Sequence, residues 1–153
     1  MQSIPTLDAL VRRFQSMDRD TRLETLLDYS RRLPPLPERF HAARDQGLNR
    51  VPECQTPVYL FFETDGSVVH IHADVPRESP TVRGYLSLLI KGLDGATLEQ
   101  VAAIPSDLLE RLGLGEALGM MRTQGLSAVT QRLRRLAQAK LADAASQPAR
   151  AEA

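Results

Sequence analysis

The sequence predicts an α+β fold in which helices pack around a small antiparallel sheet of about three strands. Leucine-rich segments with helical spacing lie towards both ends of the chain, and two strand-like segments flank an Asp-Gly turn near the middle. No linker divides them. Because the chain has 153 residues and 42% of them are hydrophobic, one domain with a real core is expected.

Two helices are predicted in the first third of the chain. Apolar side chains recur at i, i+3, i+4 and i+7 from Leu7, and Thr6 can cap the start of this helix. A second helix is expected over residues 20–33. It must end at the segment Leu-Pro-Pro-Leu-Pro, residues 33–37, because proline cannot continue a helix. Residues 41–49 are polar, and their pattern favours neither helix nor strand.

A β-hairpin is the strongest local prediction. Residues 58–63 are rich in Val, Tyr and Phe, which indicates a strand covered on both faces. Asp65-Gly66 is typical of a tight turn. Residues 68–74 then alternate, with Val69 and Ile71 on one face and His70 and His72 on the other.

The rest of the chain is predicted to be helical. A helix capped by Thr81 should end near Gly92, and a capping box at Thr97 should start a short helix that ends before Pro105. Residues 107–112 form another short helix, which Gly113 stops.

The last helix is predicted to start after Gly125. From about residue 142 onward the chain has few apolar anchors. Residues 1–141 are therefore interpreted as a single domain, and residues 142–153 as a disordered C-terminal tail.

Composition excludes several classes of function. Lys+Arg and Asp+Glu both number 19, so there is no charge excess to favour nucleic acid or an anionic membrane. No apolar run approaches the ~18–20 residues of a membrane span, and the N-terminus lacks the pattern of a secretory signal. A cytoplasmic protein is expected. A single cysteine allows neither an intramolecular disulfide nor a cysteine-based metal site.

Cys54 is the main candidate for chemistry, and two interpretations stay open. Free cysteine is often a small buried apolar residue, so Cys54 could be structural. It also lies on a polar loop stiffened by Pro52 and Pro57, where a thiol can meet a partner. Arg50 favours the thiolate and Glu53 opposes it. A cation brought in by folding could decide the balance, and Arg83 and Arg122 are the candidates.

Other chemistry has weaker support. His70 and His72 share a strand face with Asp74, but two histidines with one carboxylate are a weak zinc pattern, so a solvated face is favoured and no metal site is assigned. A thiol hydrolase needs a positioned histidine base, which no pattern here supplies. No glycine-rich phosphate loop occurs, so no cofactor site is assigned. Arg122, close before Gly125, could approach a thiolate near the start of the last helix.

Four segments, taken in order and spacing, resemble the SufE family of sulfur-acceptor proteins, including a branch with a Cys-Gln-Thr-Pro motif. They read LPPLP at residues 33–37, VPECQTPVY at 51–59, TVRGY at 81–85 and MRTQGL at 121–126. Three residues depart from the family's common pattern around the cysteine: Glu53 stands for Gly, Pro57 for Gln and Tyr59 for Trp.

The resemblance implies a SufE/IscU-like fold and a sulfur carrier. Cys54 would take persulfide sulfur from a SufS-type cysteine desulfurase, stimulate that enzyme and pass sulfur on towards iron–sulfur scaffold proteins. PLP is expected on the partner only. The resting thiol would point inward, and Arg122 would help dock the partner or stabilise an anionic sulfur. The alternative function is a non-catalytic regulator of a partner protein, in which Cys54 is structural.

Overall fold

The computed structural model of the chain describes residues 3–145 and confirms the α+β class. Within that range it has eight α-helices and one antiparallel sheet. The elements are α1 (Pro5–Gln15), α2 (Arg19–Ser30), a 3-10 turn (Glu38–Phe40), α3 (His41–Asp45), β1 (Tyr59–Asp65), β2 (Val68–Asp74), α4 (Pro80–Gly92), α5 (Leu98–Ala102), α6 (Leu108–Arg111), α7 (Gly115–Leu118) and α8 (Met120–Ala145).

The predicted hairpin is confirmed. β1 and β2 pair in an antiparallel register from Tyr59↔Asp74 to Asp65↔Val68. Gly66 has φ +63°, a conformation that glycine adopts without strain, and this allows the tight turn between the strands. The alternation of β2 places Val69, Ile71 and Ala73 in the core.

The expected number of about three strands is wrong, because in residues 3–145 the sheet has two. Each outer edge carries only one isolated bridge, Arg50↔Tyr59 on one side and Val68↔Thr97 on the other. Thr97 also caps α5, so the chain leaves the sheet after that pair. On the other edge the chain turns back within Val51 to Cys54, where the Cys54 N–H donates to the Val51 carbonyl at 3.2 Å.

Two predicted helix caps are wrong for one reason. Thr6 and Thr81 each follow a proline, and Pro5 and Pro80 are the first helical residues of α1 and α4. Proline is favoured at that position because its fixed φ suits the first turn and its missing N–H needs no partner there. The threonines therefore lie inside the first turn. At α2, Asp18 is the cap and accepts a hydrogen bond from the Thr21 N–H.

The C-terminal helices are partly as predicted. The capping box of Thr97 and Gln100 is present, and Gly113 follows α6 with φ +73°. α7 was not predicted. α8 starts at Met120, five residues before Gly125, because the chain breaks at Gly119, whose φ is +83°.

The predicted C-terminal tail lies mostly outside the described residues. Residues 142–145 belong to α8, so the helix continues past the expected boundary at residue 141. The remaining residues of that tail, 146–153, are not described.

Two contacts between helices position the elements that surround the cysteine loop. α2 and α4 approach closely at Gly84, where a Cβ would lie 2.2 Å from the Leu26 carbonyl oxygen. α4 and α8 are joined in the core by the Tyr85 and Thr130 hydroxyls, 2.6 Å apart. These contacts bring the first turn of α4 and the first half of α8 to the same side of the molecule, where the cysteine loop lies.

Candidate functional site

Cys54 lies on a loop whose two ends are fixed in the core. Val51 and Val58 are both 0% exposed, and the Val51 N–H donates to the Val58 carbonyl at 2.8 Å. The Arg50↔Tyr59 bridge extends this closure by one residue. The loop between these residues, which carries Cys54, is therefore anchored at its base.

The thiol points inward. Cys54 is 8% exposed, and its Sγ–H donates to the Gly125 carbonyl of α8 at 3.6 Å. A Cβ on Gly125 would lie 3.8 Å from Sγ, so the helix backbone comes close to the sulfur at this residue. This is the resting orientation that the resemblance implies.

Cys54 also lines a cavity of about 350 Å³ that is partly open to solvent. Three segments form its wall: the cysteine loop, the chain that enters α4, and the start of α8. The lining residues are Glu53, Cys54, Gln55, Thr56, Glu78, Ser79, Pro80, Thr81, Val82, Arg122, Gln124, Gly125 and Leu126. The sulfur is therefore shielded, but it lies beside an accessible space and not in a sealed core.

Polar contacts hold the loop against its neighbours. The Thr56 and Ser79 hydroxyls lie 3.1 Å apart and join the loop to the residue before α4. Arg50 Nη2 donates to the Gln55 carbonyl at 3.4 Å. With the contact from Sγ to Gly125, these bonds hold Cys54 and the two residues that follow it.

The resting environment disfavours the thiolate. Burial raises the pKa of the Cys54 thiol, and the neighbouring Glu53 carboxylate raises it further, while Arg50 acts in the opposite direction. From the sequence alone, the opposing effects of Glu53 and Arg50 left the direction of the shift in the pKa of Cys54 open. Burial is the largest effect, and it raises the pKa. In this state Cys54 is mainly a protonated thiol at neutral pH.

Arg122 and Arg83, the two arginines that folding was predicted to bring near Cys54, lie in different surroundings. Arg122 is exposed and lines the cavity. Arg83 is used elsewhere, because it donates to the Ser30 carbonyl at 3.3 Å and to the Val75 carbonyl at 2.6 Å. Neither arginine is among the groups that shift the pKa of Cys54.

The three histidines are not at this site. His72 Nε2 lies 3.1 Å from Glu63 Oε1, and Arg39 donates to the same oxygen at 2.7 Å. His41 Nε2 lies 3.0 Å from the Leu36 carbonyl, and His70 is exposed. In residues 3–145 no three His, Cys, Asp or Glu residues are grouped as a metal site would require.

Sequence reasoning missed part of the cavity wall. Glu78 and Ser79 were not singled out, although both line the cavity, and Thr56 was noted only as part of the Cys-Gln-Thr-Pro motif. The order Ser79-Pro80 could have located the start of α4, because proline is favoured at the first helical position. That this helix start lies against the cysteine loop depends on tertiary packing, which no local pattern reveals.

None of the helices in the described part of the chain combines the length and the apolar character needed to cross a bilayer.

The fold and the site define a small α+β domain with a single, loop-borne cysteine beside a cavity. A profile of the family described as "SufE: Fe-S metabolism associated domain" matches residues 8–137. The chain belongs to the SufE family.

Individual relatives and a solved structure agree with this assignment. An uncharacterised SufE-like protein of Mycobacterium tuberculosis is 35% identical over 135 residues, which cover 87% of this chain and 92% of the relative. The sulfur acceptor protein CsdE of Escherichia coli is 29% identical over 108 residues, 69% of each chain. The solution structure of a hypothetical protein from Thermus thermophilus superposes with a TM-score of 0.79 at 32% identity, covering 93% of this chain and 99% of that one.

Proposed function

We propose that this protein is a sulfur acceptor and carrier that uses Cys54. It takes persulfide sulfur from a SufS-type cysteine desulfurase, stimulates that enzyme and passes the sulfur to iron–sulfur cluster assembly. The observation that carries the proposal is the placement of the sole cysteine on an anchored loop beside a partly open cavity. Similarity to a protein named a sulfur acceptor supports the same function.

The chemistry needs one thiol and no external oxidant. The Cys54 thiolate attacks the terminal sulfur of a persulfide carried by a cysteine of the desulfurase. A new S–S bond forms between Cys54 Sγ and that sulfur, and the bond to the donor cysteine breaks. The donor cysteine leaves as a thiolate, and the proton lost from Cys54 passes to solvent. PLP acts only on the partner in this proposal.

In the resting state the Cys54 thiol is protected, and the cysteine must leave this position before sulfur transfer. Oxidants react with the thiolate form of cysteine. A buried thiol with a raised pKa is mostly protonated and therefore resists oxidation. Transfer then requires Sγ to leave the Gly125 carbonyl and turn towards the donor. We assign this step to docking of the desulfurase, whose contacts replace those that hold the loop.

Arg122 is a cation that lines the cavity. Its guanidinium is exposed and lines the same space as Cys54. In the proposal it docks the partner or stabilises an anionic sulfur once the loop has opened. The downstream acceptor is an iron–sulfur scaffold protein, and the reaction takes place in the cytoplasm, where thiols are kept reduced.

A second function has its own supporting observation. Cys54 is only 8% exposed and its pKa is raised, as for a structural cysteine. The protein would then regulate a partner by binding alone, without carrying sulfur.

One experiment separates the two functions. The protein is incubated with a purified SufS-type desulfurase and L-cysteine, and its intact mass and the rate of desulfuration are measured. Sulfur carriage predicts a gain of about 32 Da that reductant removes, because persulfides are reversible. Cys54→Ser should gain no mass and should not accelerate the enzyme. Normal acceleration by Cys54→Ser would favour the regulator.

A further inference from the structure

The last helix, α8, carries positive charge that its own acidic residues do not balance. Residues 120–142 contain four arginines, one lysine and no Asp or Glu. Leu133 is buried in the core, and helical spacing places Arg135 on the opposite side, with Arg132 and Arg134 on its flanks. Arg135 is exposed, and the other two arginines are partly exposed. The solvent side of this helix is therefore basic.

Two hydrogen bonds connect these arginines to the cysteine loop. Arg132 Nη2 donates to the Arg50 carbonyl at 3.3 Å, and Arg50 Nη2 donates to the Gln55 carbonyl at 3.4 Å. Gln55 directly follows Cys54. The result is a continuous basic stripe that leads from the neighbour of the thiol along α8. It consists of Arg50, Arg132, Arg134 and Arg135.

Arg134 lacks an acceptor for part of its guanidinium group. Its Nη1 donates to Gln131 Oε1 at 3.3 Å, but its Nε is buried and has no hydrogen-bond partner within residues 3–145. Buried donors without a partner are rare in folded proteins, and a carboxylate is the acceptor that pairs best with a guanidinium group. This atom is a second, independent indication that the stripe binds an acidic group.

The charge of the stripe stays positive when its acidic neighbours are counted. Against its four guanidinium groups stands Glu53 of the cysteine loop, which leaves a formal charge of +3. Arg122 and Glu78, which line the cavity, cancel each other. The helices that pack against α8 carry other carboxylates, but within residues 3–145 none of these forms an ion pair with the stripe. They are Glu99, Glu110 and Glu116. The stripe therefore complements an acidic surface.

We propose that the basic stripe docks an acidic surface of the desulfurase, beside the cysteine that carries its persulfide. The inference rests on the proposed function and specifies the partner's chemistry. A stable protein interface covers about 800 Å² of each partner. Because Arg50 contacts the residue next to Cys54, a protein that brings sulfur to Cys54 also covers the stripe.

Nucleic acid is the competing occupant, because it also binds clustered arginines. The chain as a whole has a formal net charge of +0, and nucleic-acid affinity depends on many phosphate contacts. The hydrogen bonds that join the stripe to the cysteine loop favour the protein that must reach Cys54.

The test changes the charge of Arg135, which is exposed and makes none of the hydrogen bonds described above. Arg135→Glu should raise the Kd for a purified SufS-type desulfurase roughly three- to tenfold in about 0.05 M salt, because it removes a surface ion pair and adds repulsion. Arg135→Lys keeps the charge and should bind like wild type. In roughly 1 M salt, where the Debye length is about 3 Å, the difference in Kd should shrink.

Arg19→Glu is the matched control, because Arg19 is exposed at the start of α2 and lies outside both the stripe and the cavity. It makes the same reversal of charge and should leave the Kd unchanged. The inference is overturned if Arg135→Glu binds the desulfurase as tightly as Arg135→Lys, or if its weaker binding is independent of salt. A short DNA duplex that binds wild type but not Arg135→Glu would also overturn it. Failure of the wild type to gain sulfur, while it still binds the desulfurase through the stripe, would instead overturn the proposed function.

Discussion

The hydroxyls of Thr56 and Ser79 lie 3.1 Å apart and connect the cysteine loop to the residue that precedes α4. Together with the contact between Cys54 Sγ and the Gly125 carbonyl, this bond holds the thiol side of the loop in place. The base of the loop is fixed separately by the buried Val51 and Val58. The loop can therefore open near Cys54 without disturbing the sheet.

Thr56→Val should increase the rate of Cys54 alkylation about fivefold. The substitution removes the bond to Ser79, and a typical hydrogen bond contributes about 1 kcal/mol, which corresponds to that change in the population of the open loop. The rate is measured with excess iodoacetamide and intact mass spectrometry.

Thr64→Val is the control for this substitution, because Thr64 is exposed on β1 and is not part of the cavity. It should leave the alkylation rate unchanged. Equal rates for Thr56→Val and wild type would show that the Thr56–Ser79 bond does not restrain the thiol.

The pH dependence of alkylation should reveal the raised pKa of Cys54. Burial and Glu53 both favour the protonated thiol, so the thiol holds its proton to higher pH in the folded chain than in the unfolded chain. The midpoint of the rate against pH should lie above the ordinary value of about 8.5. In concentrated urea it should return to that value, and a native midpoint below it would contradict the electrostatic account.

Gly125→Ala should stabilise the protein by about 0.5–1 kcal/mol. Gly125 lies inside α8, and its added Cβ would meet Cys54 Sγ at 3.8 Å, an ordinary contact distance. Alanine restricts the unfolded chain more than glycine and favours the helix. The melting temperature should rise by roughly 1–4 °C. A fall would mean that the sulfur needs the space at Gly125.

Gly84→Ala should have the opposite effect and destabilise the protein by about 3 kcal/mol or more. A Cβ at Gly84 would lie 2.2 Å from the Leu26 carbonyl oxygen, so α2 and α4 would have to separate. Urea unfolding followed by circular dichroism measures the change. Stability close to that of wild type would show that the two helices can move apart at little cost.

Local features of the sequence predicted the hairpin and the capping box well. The Asp65-Gly66 turn and the alternation of residues 68–74 are short-range patterns, and β2 has the predicted bounds. The Thr97 cap is likewise decided within four residues. These elements depend on neighbours in sequence, so the sequence is enough to identify them.

The cavity depends on contacts between distant segments, whereas the start of α8 follows from the chain break at Gly119. Gly125 was interpreted as a helix boundary, whereas it is a helical residue packed against Cys54, 71 positions away in the chain. Glu78 and Ser79 reach the site only because α4 packs on α2 and is joined to α8 by the Tyr85 and Thr130 hydroxyls. The proposed role of Cys54 and its inward orientation could be anticipated from its loop and its family resemblance, but the residues around it required the structure.

The most direct test of sulfur carriage by Cys54 is to locate the transferred sulfur by peptide mass spectrometry. After reaction with a SufS-type desulfurase and L-cysteine, persulfides are trapped by alkylation and the protein is digested with trypsin. Residues 51–76 contain no Lys or Arg, so Cys54 lies in one peptide that ends at Arg77. We expect this peptide to carry one additional sulfur, about 32 Da, which dithiothreitol removes. An unmodified Cys54 peptide, with desulfuration still accelerated, would contradict sulfur carriage.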